Sequence, residues 1–236
     1  MQFTYGIVFG LFLLILRPVV AQPSVSLQGK EIPQLFTPHE NPFGFSHIQW
    51  GMKWMDYLLK FDCETFPVLS ATGEGAALHQ DKNVFFLSGS VGGKIQRKVS
   101  VPYGSAIFIP ILTYFNHYPC PYPGFEPAPG QSMKSFLQQG GANFIDSAIH
   151  LQLIIDGHPC DDLKLYRYTT DVFYPQFNPA LVCIDMCITT GPQPSVLDGY
   201  WVILKPLAKG EHFVYFHAEV PEKGMVVDVG YIIQIE

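Results

Sequence analysis

The stretch from residue 199 to residue 235 constrains the fold most, because apolar and polar side chains alternate there and glycine turns cut the alternation. Segments 199–204, 212–220 and 226–235 alternate with period two, and Lys209-Gly210 and Lys223-Gly224 separate them. Successive strand side chains point to opposite faces, so this is the pattern of half-buried strands joined by tight turns. The same period runs through 84–90, 94–101 and 105–112, broken at Gly92-Gly93 and at Pro102-Tyr103-Gly104. A further strand is expected over 150–155, where Asp156-Gly157 is a strong hairpin signal. Shorter strands are expected at 163–168 and 171–174, and 183–195 reads equally as strand or loop. The spacing predicts an all-β fold, an antiparallel sandwich of jelly-roll type with one or two helices packed on it.

Two segments carry the helices. Ser46 and Gln49 form a capping box, and Trp50, Trp54, Tyr57 and Phe61 follow at i, i+4, i+7 and i+11 as one aromatic stripe. That stripe is expected to pack on a sheet, and Trp50 is the candidate to line a ligand cleft instead. Residues 131–147 read as a second helix interrupted at Gly140-Gly141. Residues 63–82 and 114–130 read as loops, the second with five prolines among aromatic side chains.

The N-terminus reads as an address. Residues 6–16 are apolar, too short for the roughly 20 residues of a spanning helix, and Val19-Val20-Ala21 places small residues before Gln22. The expected organisation is a signal peptide over 1–21, an extended Pro-rich arm over 22–43, and a single sandwich domain over 44–236, exported to the periplasm or outside the cell. No other segment is long and apolar enough to span a membrane. The 236 residues carry 14 basic and 20 acidic side chains; removing Arg17 with the leader leaves 13 against 20, a net charge of −7. An acidic chain that is only 14% charged and 48% hydrophobic is neither disordered nor a nucleic-acid binder.

The five cysteines, Cys63, Cys120, Cys160, Cys183 and Cys187, all follow the leader. An exported chain meets oxidising conditions, so bridges are expected. An odd count leaves one thiol over, and two bridges can be drawn among five cysteines in about 15 ways. Zinc held by Cys183, Cys187, His158 and Cys160 lacks a second close-spaced ligand pair, so no metal and no cofactor is expected.

Several segments carry a resemblance: Ser46-His47-Ile48-Gln49-Trp50 with Lys53-Trp54; Val84-Phe85-Phe86-Leu87-Ser88-Gly89; Arg97 with residues 101–110; Asp198-Gly199-Tyr200-Trp201-Val202 through Pro206-Leu207 and Gly210-Glu211-His212; and Asp228-Val229 with Tyr231. In these the chain resembles a family of exported, functionally uncharacterised bacterial proteins, along most of the part after the leader and in order. The resemblance implies export and a common fold, and it brings no mechanism. It also implies a lost bridge, since relatives carry Cys near the positions of Ala76 and Val99.

Arg97 is the most informative candidate. In 94–101 it shares the apolar face with Ile95, Val99 and Val101, where a guanidinium must be paired or near water. The expected partner is an Asp or Glu; the functional alternative is an anion anchor in a cleft. His117, Cys120 and Tyr122 place a base, a thiol and an aromatic face in one loop. Cys120 is expected to be bridged rather than a nucleophile, and Tyr122 to stack on a sugar or peptide. His212 and His217 are five apart in a strand and face opposite sides. Asp161, Asp162, Asp171 and Asp185 would suit glycosidic chemistry only if two met across a cleft. No nucleophile elbow, zincin motif, P-loop or EF-hand loop occurs. The function expected is therefore non-catalytic binding of carbohydrate or another envelope component, with Trp50, Arg97, His117 and Tyr122 as ligand-binding candidates. The alternatives are an extracellular hydrolase or lyase acting on a polymer, and a purely structural envelope protein.

Overall fold

A computed structural model describes residues 32–236. The leader and the first half of the arm lie outside the described residues. Helix α1 spans His47–Leu58; strands β1, β2 and β3 span Val84–Phe86, Gly93–Val101 and Ala106–His117; helix α2 spans Met133–Ile145. Strands β4 (Ile149–Ile155), β5 (His158–Pro159), β6 (Arg167–Thr169), β7 (Gln176–Phe177) and β8 (Gly191–Pro192) follow. The chain ends in the long strands β9 (Ser195–Leu204), β10 (Gly210–Val220) and β11 (Met225–Ile235).

Two main sheets form, in the orders β1-β3-β9-β6 and β2-β11-β10-β4-β5, and β7 pairs with β8 in a small third sheet. The fold is mostly β and sandwich-like. Its sheets are mixed: β1 pairs with β3 and β11 with β2 in parallel, where the turn spacing suggested antiparallel pairs throughout. Those two pairings join segments whose neighbours in sequence go elsewhere, so short-range turn signals do not report them.

Burial explains the layering. On β10, Val214, Phe216, Ala218 and Val220 face the core and the residues between them are only half-buried. On β9 all ten residues are buried, because this strand has a layer on each side. Tyr200, Val202 and Leu204 meet the facing sheet, whereas Leu197, Trp201 and Ile203 meet the aromatic stripe of α1. The stripe therefore packs on a sheet, as its periodicity predicted. Gly51 lets α1 approach that closely, since a Cβ there would sit 2.7 Å from the Trp201 ring. The capping box of Ser46 and Gln49 is formed. The arm joins the same layer: Leu35 bridges Leu204, and Phe36 N–H donates to the Ile203 carbonyl.

Three local expectations change. Helix α2 runs unbroken through Gly140-Gly141; a Cβ on Gly141 would meet the Asp198 Cβ at 2.9 Å, and one on Gly140 would strike the Asn116 amide. These glycines mark close packing of α2 on β3 and β9, not a break. Strand β3 continues to His117, because Tyr114–Asn116 and His117 pair with residues 195–198 of β9. Residues 163–166 form a 3-10 turn, and 171–174 contribute only a Phe173–Ser195 bridge. The hairpin at Asp156-Gly157 forms, with both residues at positive φ.

Cys63 is bridged to Cys183 and Cys120 to Cys187, and Cys160 is free. No helix among the described residues is long and apolar enough to cross a membrane. The two bridges fit an extracellular or periplasmic location.

Candidate functional site

The two disulfides frame a cavity of about 270 Å³ beside the C-terminal half of α1. Trp54, Met55 and Leu58 of α1 form one side, and Thr113, Phe115 and His117 of β3 another. Phe66 and Val68 come from the 63–82 loop; Phe177, Leu181 and Ile184 come from β7 and the 3-10 turn after it. Cys63–Cys183 ties these two loop walls to each other. Cys120–Cys187 ties the second wall to the chain leaving β3. Phe66 and Val68 lie outside any helix or strand, so the Cys63–Cys183 bridge ties that loop where no sheet ladder does.

The polar end of the cavity is a chain of three side chains. The Gln193 Oε1 accepts from Thr189 N–H at 2.9 Å, so its amide nitrogen faces the Cys187 carbonyl at 3.0 Å, the Pro119 carbonyl at 3.2 Å and His117 Nδ1 at 3.3 Å. The two amide hydrogens suit the two nearer carbonyls, and an NH₂ offers no acceptor to a proton on Nδ1, so the contact favours the ring form that carries its proton on Nε2. That N–H donates to Asp185 Oδ2 at 2.9 Å, and Asp185 Oδ1 accepts from Cys187 N–H at 2.8 Å. The bond from His117 holds the Asp185 carboxyl below the usual carboxylate range; partial burial opposes it and the Cys187 N–H assists. The imidazole is buried against Phe115 and Phe177, whereas the Asp185 side chain keeps 41% of its surface exposed.

Arg97 lies behind the cavity, not in it. Its side chain is 1% exposed, and it is held by main-chain carbonyls rather than the carboxylate its setting suggested. Nε donates to Ser70 at 2.7 Å and Nη2 to Val68 at 3.0 Å; Nη1 faces the carbonyls of Ser88 and Gly89 and the Tyr231 hydroxyl, each at 2.8 Å. The Tyr231 hydroxyl in turn donates to Ser88 O at 2.8 Å. Val68 and Gly89 line the cavity, so Arg97 positions two of its walls. A planar fork of five N–H groups suits carbonyls converging from two loops. The alternation correctly put Arg97 on the buried face, but nothing in a sequence marks where loop carbonyls converge.

The four candidates do not meet. Trp50 is 0% exposed in the aromatic layer between α1 and β9 and donates its indole N–H to the Pro42 carbonyl at 2.9 Å, so it has no face for a ligand. Tyr122 is 57% exposed in the Pro-rich loop and lines no described cavity wall. His117 alone of the four lines the cavity. Asp185 joins it there, away from Asp161 and Asp162, while Asp171 pairs with Lys134 at the surface. Gln193 carried no signal in the sequence. His212 and His217 do face opposite ways: His212 is buried with Asp156, and His217 pairs with Glu219 on the open side of the sheet. No group of three metal-ligating side chains occurs among the described residues.

No protein-family model matches the chain, and neither a curated protein nor a solved structure matches it.

Proposed function

We propose that this chain is an exported, non-catalytic binding protein and that its ligand is a small, largely apolar molecule held in the disulfide-framed cavity. The observation that carries this reading is the commitment of His117. Acid–base or nucleophilic chemistry needs a ring nitrogen within reach of the reacting proton. Here Nδ1 faces the Gln193 amide and Nε2 bonds Asp185, so both ring nitrogens have protein partners, and the polar chain serves to shape one end of an apolar space. Binding sites are commonly concave and mostly apolar, with a few placed polar groups and volumes of about 300–1,000 Å³. At about 270 Å³ this cavity falls just below that range. Scaled from a 150 Å³ cavity that takes benzene, it suits a ligand of about ten non-hydrogen atoms. Export is supported by the leader pattern of residues 1–21 and by the two bridges.

The test is a thermal-shift screen of the purified exported protein with small aromatic hydrocarbons, with glycan oligomers in parallel. A cavity ligand at 100 times its Kd is expected to add about 2.7 kcal/mol, a rise of roughly 5–10 °C in Tm at this size. Ile184→Trp, which fills the cavity from its edge, is expected to abolish the shift. Turnover of any probe, or shifts with glycans alone, would overturn the reading.

A second reading keeps carbohydrate as the ligand, on a different surface. Phe213, Tyr215 and His217 follow one another on the open side of β10, the middle strand of the five-stranded sheet. The Tyr215 and His217 rings lie 6.5 Å apart and 18° from parallel. Gly230 beside Tyr215 lies under the Phe213 ring, and Gln96 and Gln152 border the strip. Such a strip suits stacking against sugar rings. Tyr215→Ala would then weaken glycan binding and leave the cavity probes unaffected.

A further inference from the structure

The lining of the cavity specifies charge as well as size, and the selectivity drawn from it rests on the cavity being the binding site. Four aromatic side chains, Trp54, Phe66, Phe115 and Phe177, share the walls with a single carboxylate, Asp185. No Lys or Arg is among the lining residues. Among the described residues the one basic side chain bonded to Asp185 is His117, whose Nδ1 faces the Gln193 amide. The carboxylate therefore has two N–H donors and no Lys or Arg beside it in the lining. Each of its oxygens accepts one N–H, and a carboxylate oxygen offers two lone-pair sites, so one site on each is open. Its partial exposure at the cavity leaves those sites reachable.

We propose that the cavity selects small amines or ammonium ions carrying an apolar, preferably aromatic, body, with the cationic head on Asp185 and the body among the aromatic walls. Both features attract the same charge. A carboxylate beside low-dielectric walls favours a cation and repels an anion. The faces of Trp and Phe carry negative quadrupole density, and together with a carboxylate they form a site suited to ammonium groups. A sugar, which presents hydroxyls all round, would leave most of them without partners among Leu58, Phe115, Leu181 and Ile184.

The experiment is calorimetric titration of the exported protein near neutral pH with three probes of about ten non-hydrogen atoms: 2-phenylethylamine, propylbenzene and phenylacetate. The amine is expected to bind about ten- to a hundredfold tighter than the hydrocarbon, the range for a hydrogen bond to a charged group, and phenylacetate weakest of the three. In Asp185→Asn the amine is expected to fall to the level of propylbenzene, whose own affinity stays within about threefold. The ranking of the three probes on the unaltered protein needs no variant, so a folding defect in Asp185→Asn leaves the proposal exposed. Propylbenzene binding as tightly as the amine would overturn the cation selectivity and leave the cavity reading standing. Phenylacetate binding tightest would overturn the sign of the charge preference. Failure of all three to bind would overturn the cavity reading and the selectivity with it.

Discussion

Arg97→Met removes the one side chain that gathers the carbonyls of Val68, Ser70, Ser88 and Gly89. The Ser88 carbonyl keeps its bond from Tyr231, so three carbonyls lose their side-chain donor. Each buried acceptor left unsatisfied costs about 1–3 kcal/mol, or roughly 3–9 kcal/mol for three. Relief from burying a guanidinium offsets part of this, since removing a buried charge recovers desolvation free energy. A net loss of about 3–6 kcal/mol is the expected outcome. That is a large share of the 5–15 kcal/mol that typically holds a domain folded. Arg97→Lys keeps the charge but replaces the planar fork with a single ammonium, which cannot reach both loops; it is expected to lose about 2–4 kcal/mol. Urea unfolding followed by tryptophan fluorescence is the assay. With m near 2 kcal/mol/M, the midpoint for Arg97→Met should fall by roughly 1.5–3 M. Because Val68 and Gly89 line the cavity, probe binding should weaken in both variants under conditions where they remain folded. Arg97→Met within about 1 kcal/mol of the parent, with an unchanged m, would refute the carbonyl cradle as a structural device.

Gly141→Ala should destabilise by about 1–3 kcal/mol through crowding at Asp198, although alanine favours helix by about 1 kcal/mol over glycine; a more stable variant in thermal unfolding would show that the glycine is not needed for packing. The bridges span 120 and 67 residues in sequence, which in the chain-entropy model corresponds to about 4–5 kcal/mol each. Reduction is therefore expected to lower Tm sharply and to abolish probe binding, whereas Cys160→Ser, at the one unbridged site, should change neither. Burial and the neighbouring Asp161 push the Cys160 thiol up to about 11, so alkylation of the native protein near neutrality should be slow and become fast on unfolding. The Asp185 carboxyl titrates below its unfolded value of about 3.9. Its bond with His117 is thus stabilising in full above that value and lost as pH falls through the lower folded one. Tm values of the parent and Asp185→Asn should differ near neutrality and converge below about pH 4; a constant gap on acidification would contradict the pairing.

What could be read in the sequence was what local chemistry writes. Ser46 and Gln49 cap α1 within four residues of each other, and the stripe from Trp50 to Phe61 shows which face it buries. Strands β10 and β11 alternate cleanly because one side of each faces the core and the other does not. Strand β9 alternates less, since both its sides are covered, and its start was hidden inside an ambiguous stretch. The cavity was largely illegible because its walls come from separate segments joined by disulfides. His117 lies three residues before Cys120, and Asp185 two before Cys187. Had that bridge been known, the pair would have been visible; it was one among about fifteen arrangements. Arg97 stood out by parity, yet its partners are main-chain atoms whose positions only the folded loops define.

If the disulfide-framed cavity is a ligand site, a crystal of the protein soaked in 2-(4-bromophenyl)ethylamine will hold the ligand there. The expected result is an anomalous bromine peak among Phe115, Phe177 and Leu181, with the amine nitrogen within hydrogen-bond distance of an Asp185 oxygen. A peak confined to the open face of the five-stranded sheet, or a saturating soak with no bromine in the cavity, would contradict it.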